Sequence, residues 1–157
     1  MPTLPHQLIV KFLLAQLEAC LSGPSVGTVV FAPLPVRLGP GRYREPDLVY
    51  LSRQRFRETA KYPRGADLVV EVVSEGEECR QRDLITKRQE YAEAGITEYW
   101  IVDPAERQIT VLTLAGQAYR EAGVYGSGQT ATSVLLPAFS VAVDAVFAAG
   151  EAPGQQP

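Results

Sequence analysis

A glutamate lies in the middle of an otherwise apolar, largely β-branched run, DLVVEVVS (67–74), and its position dictates much of what must surround it. Residues 68–73 have the near-continuous apolar character of a central strand covered on both faces. A carboxylate inside such a strand is costly unless a cation, a metal or a proton donor compensates it. Side chains alternate along a strand, so Asp67, Val69, Glu71 and Val73 share one face. The partner of Glu71 must come from whatever packs on that face.

The segments on either side supply candidates. PDLVY (46–50) reads as a second strand, opened by Asp47. Residues 83–94 read as a helix closed by Gly95 at its C′ position, with Asp83, Lys87 and Tyr91 on one stripe at four-residue spacing. Residues 99–102 and 108–114 form a strand pair turned at Asp103-Pro104. Upstream, 6–21 repeats Leu8, Ile9, Phe12, Leu13, Leu17 and Leu21 at helical spacing, with Lys11 and Glu18 on the other side and Gly23 and Pro24 as the stop. Two short strands, 28–31 and 36–38, are expected to form a hairpin around the proline break at 33–35. Residues 39–41 are a turn, 53–61 a polar stretch with one short helix, 62–65 a loop and 75–82 a charged connection. After Gly116 the pattern weakens into glycine-rich turns. Residues 135–141 read as an edge strand and 143–148 as a last short helix. This order predicts one α/β (α+β) domain over 1–149, a mixed central β-sheet flanked by helices, with 150–157 a disordered tail.

Charge and cysteine usage narrow the function classes. With 15 basic and 18 acidic residues the net charge is −3, so no global positive field draws the chain onto nucleic acid. A nuclease with a locally basic surface remains compatible. Cys20 and Cys79 lie far apart without metal-type spacing, and no secretory leader is visible, so a reduced cytoplasmic protein is expected. The apolar stretch 8–21 is too short to span a bilayer and is interrupted by Lys11, Gln16 and Glu18. No P-loop, dinucleotide fingerprint, nucleophile elbow or zinc pattern is present.

Asp47 and Glu71, on neighbouring strands at one end of a sheet, are the donor type that magnesium or manganese takes, with waters and phosphate oxygens completing the shell. Lys87 on the following helix would stabilise the charge developing on phosphorus or position the attacking water. Plainer roles are open to each residue. Asp47 can cap a turn, and Glu71 can form an ion pair with Lys87 that needs no metal. Asp67 has a supporting role at most. Asp83 and Lys87 at i,i+4 are ordinarily a solvated pair worth about 0.3 kcal/mol. Tyr91 and Trp100 read as core aromatics with one polar tip. His6, the only histidine, reads as a helix-start or surface residue. Arg80, Arg82 and Arg88 either face phosphates or form a solvated charged turn.

PDLVY, DLVVEVVS and RDLITKRQEYAEAGITEYWIVDP (82–104), with PHQLIVKFLLAQL (5–17), VFAPLPVRL (30–38) and LLPAF (135–139), together resemble a large bacterial family of restriction-endonuclease-like proteins in the PD-(D/E)XK nuclease superfamily. The resemblance covers nearly the whole chain. It implies a restriction-endonuclease-like core, with Asp47 as the PD aspartate and Glu71 as the acid of the next strand. The motif lysine would fall at Val73, so Lys87, which opens a KxxxY pattern with Tyr91, is its candidate replacement. Two departures stand out. Family members usually carry a glutamate-bearing segment upstream of the first helix, whereas this chain starts almost at the helix. Ser74-Glu75-Gly76 also replaces the usual Ser-Pro-Ser.

The resemblance implies a Mg²⁺- or Mn²⁺-dependent endonuclease acting on DNA. Asp47, Glu71 and Lys87 would be catalytic, Asp47 and Glu71 would hold the metal, and Asp67, Asp83 and Tyr91 would support them. A homodimer would suit the cutting of two strands. Two rival readings are an inactive nuclease-fold protein that binds nucleic acid or a protein partner, and a structural domain that dimerises through a sheet edge.

Overall fold

The structure is a computed structural model that describes residues 2–22 and 26–151. The apolar run bearing Glu71 becomes β5 (Leu68–Val72), every residue of it buried. It pairs antiparallel with β4 (Leu48–Ser52) on one side and parallel with β6 (Glu98–Asp103) on the other. A parallel neighbour needs a crossover. Here it is a continuous helical segment made of α3 (Glu77–Gln81), a π-helical turn (Arg82–Thr86) and α4 (Lys87–Glu93). With β1 (Gly27–Phe31), β7 (Gln108–Ala115) and β8 (Ala118–Tyr125), the sheet has six strands in the order β1-β4-β5-β6-β7-β8.

The alternation of β5 divides the core in two. Leu68, Val70 and Val72 pack with Trp100 beneath α1 (Leu4–Cys20) and α5 (Val143–Ala149). Val69 and Val73 pack on the opposite face with Tyr91, Ala92 and Tyr99, beneath α4 and β2 (Val36–Gly39). The result is the expected mixed sheet flanked by helices. Among the described residues, no helix is long and apolar enough to cross a membrane.

Several local expectations are corrected. β1 and β2 do not form a hairpin: β1 pairs with β4, and β2 pairs with the short β3 (Arg42–Arg44). Pro33 and Pro35 have no N–H to offer a ladder, so the chain leaves the sheet there. Residues 118–125 form a full edge strand on β7 rather than turns. The strand expected over 135–141 shrinks to β10 (Ser140–Ala142), paired with β9 (Thr130–Thr132) outside the main sheet. The N–H groups of Val134 and Leu135 instead donate to the buried Glu98 carboxylate, at 2.9 and 2.7 Å. Residues 77–81 are helical rather than a connection. The stop at Gly23 and Pro24, and the tail from 152 onward, lie outside the described residues.

Candidate active site

The β4–β5 ladder ends at Leu48–Val70, and one step further along the same register Asp47 stands across from Glu71. Directly opposed residues are about 5 Å apart at Cα. Beyond the last rung, Asp47 Oδ2 accepts the Val72 N–H at 2.8 Å, so a side chain continues what the backbone has stopped doing. Pro46, which precedes it, has no N–H for a longer ladder.

Glu71 is 3% exposed and satisfied on both oxygens. Lys87 Nζ lies 2.9 Å from Oε2, and the Tyr91 hydroxyl donates to Oε1 at 2.5 Å. Lys87 Nζ also lies 2.8 Å from Asp83 Oδ1. The pair at 83 and 87 is therefore no solvated surface pair, since Asp83 is 2% exposed. The helical segment carries a π turn between them, with the Lys87 N–H bonded five residues back to Arg82 O. Such single π turns recur at functional sites. The Tyr99 hydroxyl holds this turn by donating to Asp83 O at 2.9 Å.

The electrostatics follow from burial. Loss of water pushes the Glu71 carboxyl up to about 7; Asp47 adds to the rise, while Lys87 and Tyr91 oppose it. Burial is also the largest influence on Lys87 and works against its charge, yet Glu71 and Asp83 outweigh it and hold the ammonium above its ordinary range. Tyr91 is pushed far up, by burial first and then by Glu71, and so remains a hydrogen-bond donor.

His6 completes the cluster from the other layer. Its Nε2 lies 3.0 Å from Val72 O and 3.3 Å from Asp47 Oδ2. A carbonyl only accepts, so Nε2 carries the proton. The bond to Asp47 is the largest influence raising this imidazole above its ordinary range. The helix-start placement expected for His6 is correct, since its N–H donates to the Thr3 cap; its site contact was missed. A signal existed: His6 lies on the same helical stripe as the buried Ile9, Leu13 and Leu17, where a polar residue needs a partner. His6 also lines a cleft of about 520 Å³ with Val73, Ser74, Arg80 and Asp103.

Asp67 does not join this group. It shares a face with Glu71, but four residues at about 3.3 Å each put it some 13 Å away along the strand. There it accepts the Ser52 N–H at 2.7 Å and pairs with Arg55 at 3.2 Å. Glu98, deeply buried, has a structural role: it accepts from Trp100, Ser133, Val134 and Leu135. Arg80 is held by Asp103 at 2.8 Å.

The side chains present fit a hard divalent ion in type. Three carboxylates converge on one ammonium and one imidazole. Both contacts of Asp47 use Oδ2, leaving Oδ1 for a ligand. Among the described residues no group of three or more His, Cys, Asp or Glu side chains is arranged as a complete cage. Asp47 and Glu71 alone would supply protein oxygens, a number that suits magnesium.

The family model named Uma2, described as "Putative restriction endonuclease", matches residues 1–144. The fold is similar to the crystal structure of a putative nuclease belonging to DUF820 from Anabaena variabilis. That likeness has a TM-score of 0.79 at 14% identity, covering 96% of this chain and 84% of the other. No curated protein matches the chain.

Proposed function

The chain belongs to the Uma2 family, and on that premise we propose that it is a metal-dependent endonuclease that hydrolyses DNA phosphodiester bonds. The observation that carries this reading is the Lys87 ammonium 2.9 Å from Glu71 Oε2, with Asp47 on the adjoining strand. A lysine beside two carboxylates at a strand end suits in-line phosphoryl displacement, the carboxylates for a metal ion and the ammonium for the charge that develops on phosphate oxygens.

Asp47 and Glu71 would hold Mg²⁺ or Mn²⁺. When bound, the ion lowers the pKa of a coordinated water and neutralises charge on a phosphoryl oxygen. Lys87 orients the attacking water or stabilises the charge that builds on the phosphate. Asp83 keeps its ammonium aimed at Glu71, and Tyr91 fixes the rotamer of the Glu71 carboxylate. His6 does the same for Asp47, because Nε2–H bridges that carboxylate and the Val72 carbonyl.

The test is nicking of supercoiled DNA in Mg²⁺ or Mn²⁺ by the wild type and by Asp47→Ala, Glu71→Ala and Lys87→Ala. Each variant is expected to lose at least about 100-fold in rate. Cleavage that survives Glu71→Ala and Lys87→Ala unchanged refutes the assignment.

The absence of a third protein ligand among the described residues favours one alternative, an inactive nuclease fold that binds DNA. Calorimetry with Mn²⁺ separates the two. No binding, or binding indifferent to Asp47 and Glu71, supports the inactive form.

A further inference from the structure

The basic residues of this acidic protein are not spread evenly. Residues 37–64 hold eight of the 15 lysines and arginines with only three acidic residues, in a chain whose net charge is −3. Hydrogen bonds tie the parts of this stretch to one another. The Arg37 N–H donates to Pro63 O and the Gly65 N–H to Arg37 O, both at 2.8 Å, tying the β2–β3 hairpin to the loop at 62–65. Arg55 donates to Arg64 O at 2.6 Å, tying α2 (Arg53–Glu58) to the same loop. Arg53, Arg57, Lys61 and Arg64 are exposed and form no ion pair among the described residues.

Two exposed aromatic rings stand within this surface. Tyr43 is 47% and Tyr62 41% exposed, and their rings meet edge to face at 6.4 Å. Lys61 Nζ lies 5.2 Å from the Tyr62 ring centroid. The two tyrosines, with Pro35, Arg44 and Glu45, line a hollow of about 490 Å³, within the size range of small-molecule sites. Two exposed rings beside unpaired cations offer flat faces on which a planar group can stack.

The hollow adjoins the active site. Tyr43 is four residues from Asp47, at most about 14 Å along the chain. Arg44, next to it, forms a two-pronged pair with Glu90 at 2.6 and 2.8 Å, which fixes the hairpin to the helix that carries Lys87 and Tyr91.

We propose that Tyr43 and Tyr62, flanked by Lys61 and the basic residues of α2 and its following loop, form a stacking subsite for an unpaired stretch of the DNA strand that enters the Asp47–Glu71–Lys87 site. This rests on the nuclease reading. Bases inside a duplex present only their edges, so an aromatic face captures a base that has left the stack. A basic track beside such rings is the combination that single-stranded DNA binders use. The phosphates follow Lys61, Arg57 and Arg64, and a base enters the Tyr43–Tyr62 hollow.

The test measures DNA binding without cleavage, by fluorescence anisotropy in EDTA, with a single-stranded oligodeoxynucleotide, the blunt duplex of the same sequence and the matching RNA. Tyr62→Ala and Tyr43→Ala are each expected to weaken single-strand binding about tenfold and to leave duplex binding unchanged. Tyr62→Trp is expected to retain or tighten it, and the unchanged duplex binding of Tyr62→Ala shows that the alanine variant is folded. Replacing Arg57, Lys61 and Arg64 with serine should flatten the salt dependence of binding. Unchanged single-strand affinity in the tyrosine variants, equal losses on the duplex, or a preference for RNA over DNA each overturns the proposal. Because binding is read without metal, loss of cleavage alone cannot imitate any of these results.

Discussion

Replacing Glu71 with glutamine in metal-free protein isolates the cost of the buried carboxylate. Burial moves this group from 4.5 up to about 7. Between those values the folded protein holds a proton on Glu71 that the unfolded chain has already released. Stability must therefore fall as pH rises through that window, then level off above it. At about 1.4 kcal/mol per pH unit, the total is on the order of 3 kcal/mol. Glutamine keeps an oxygen for the Tyr91 hydroxyl but has no proton to lose, so its contribution is flat. His6 has a slope of the same sign, since its raised imidazole stabilises the fold at low pH and ceases to do so as pH rises. Most of that slope is set by Asp47 and is shared by both proteins; Glu71 is the smallest of the influences on His6, so little of it enters their difference. Lys87 titrates well above the window.

Urea unfolding at pH 5, 6, 7 and 8 in EDTA reads the effect. Glu71→Gln should gain on the wild type progressively, by up to about 3 kcal/mol at pH 8 relative to pH 5. Parallel profiles for the two proteins would refute the reasoning, because Glu71 would then be ionised throughout.

Three further outcomes follow from the geometry. Lys87→Met leaves Glu71 and Asp83 facing each other without a cation, and should cost about 3–5 kcal/mol in urea unfolding at pH 8; a loss below about 1 kcal/mol contradicts the buried network. His6→Phe removes the donor that bridges Asp47 and Val72, and calorimetry should show Mn²⁺ binding weakened at least about tenfold; unchanged affinity would leave His6 a packing residue. Glu98→Ala strands the Trp100 indole, the Ser133 hydroxyl and two backbone N–H groups. It should destabilise by about 3 kcal/mol or more, while DNA binding near the melting-free range stays at wild-type level.

The parts of the fold visible in the sequence are those whose burial writes a period. β5 is apolar on both faces because strands flank it and helices cover it, and α1 shows its stripe because only one side meets the sheet. β8 was invisible for the opposite reason. Only Tyr119 in it is buried, and pairing with β7 holds it in place, with a register shift opposite Val111 and Leu112. Backbone pairing leaves no mark on side-chain choice. The β1–β4 pairing was equally hidden, because the chain crosses the whole β2–β3 hairpin before returning, and nothing local to 28–31 names its partner.

The candidate site shows where alternation stops being informative. Period two correctly puts Asp67 and Glu71 on one face, but a face is not a site. What separates them is what each meets across the ladder. Glu71 lies where β4 has run out, so Asp47, Lys87 and Tyr91 gather around it in a space the backbone no longer fills. Asp67 lies at the other end, where Arg55 of α2 and the Ser52 N–H both bond its Oδ2. What keeps Asp67 out of the site is its distance from Lys87 and Asp47: it stands about 13 Å along the strand from Glu71. Arg64, the cation nearest to Glu71 in the chain, is nearer still to Asp67, so distance along the sequence does not say which acid is answered. The compensation of Glu71 arrives from a helix 16 residues on, whose four-residue stripe made Asp83, Lys87 and Tyr91 legible, and from α1 by way of His6 and Asp47, where only His6 went unread.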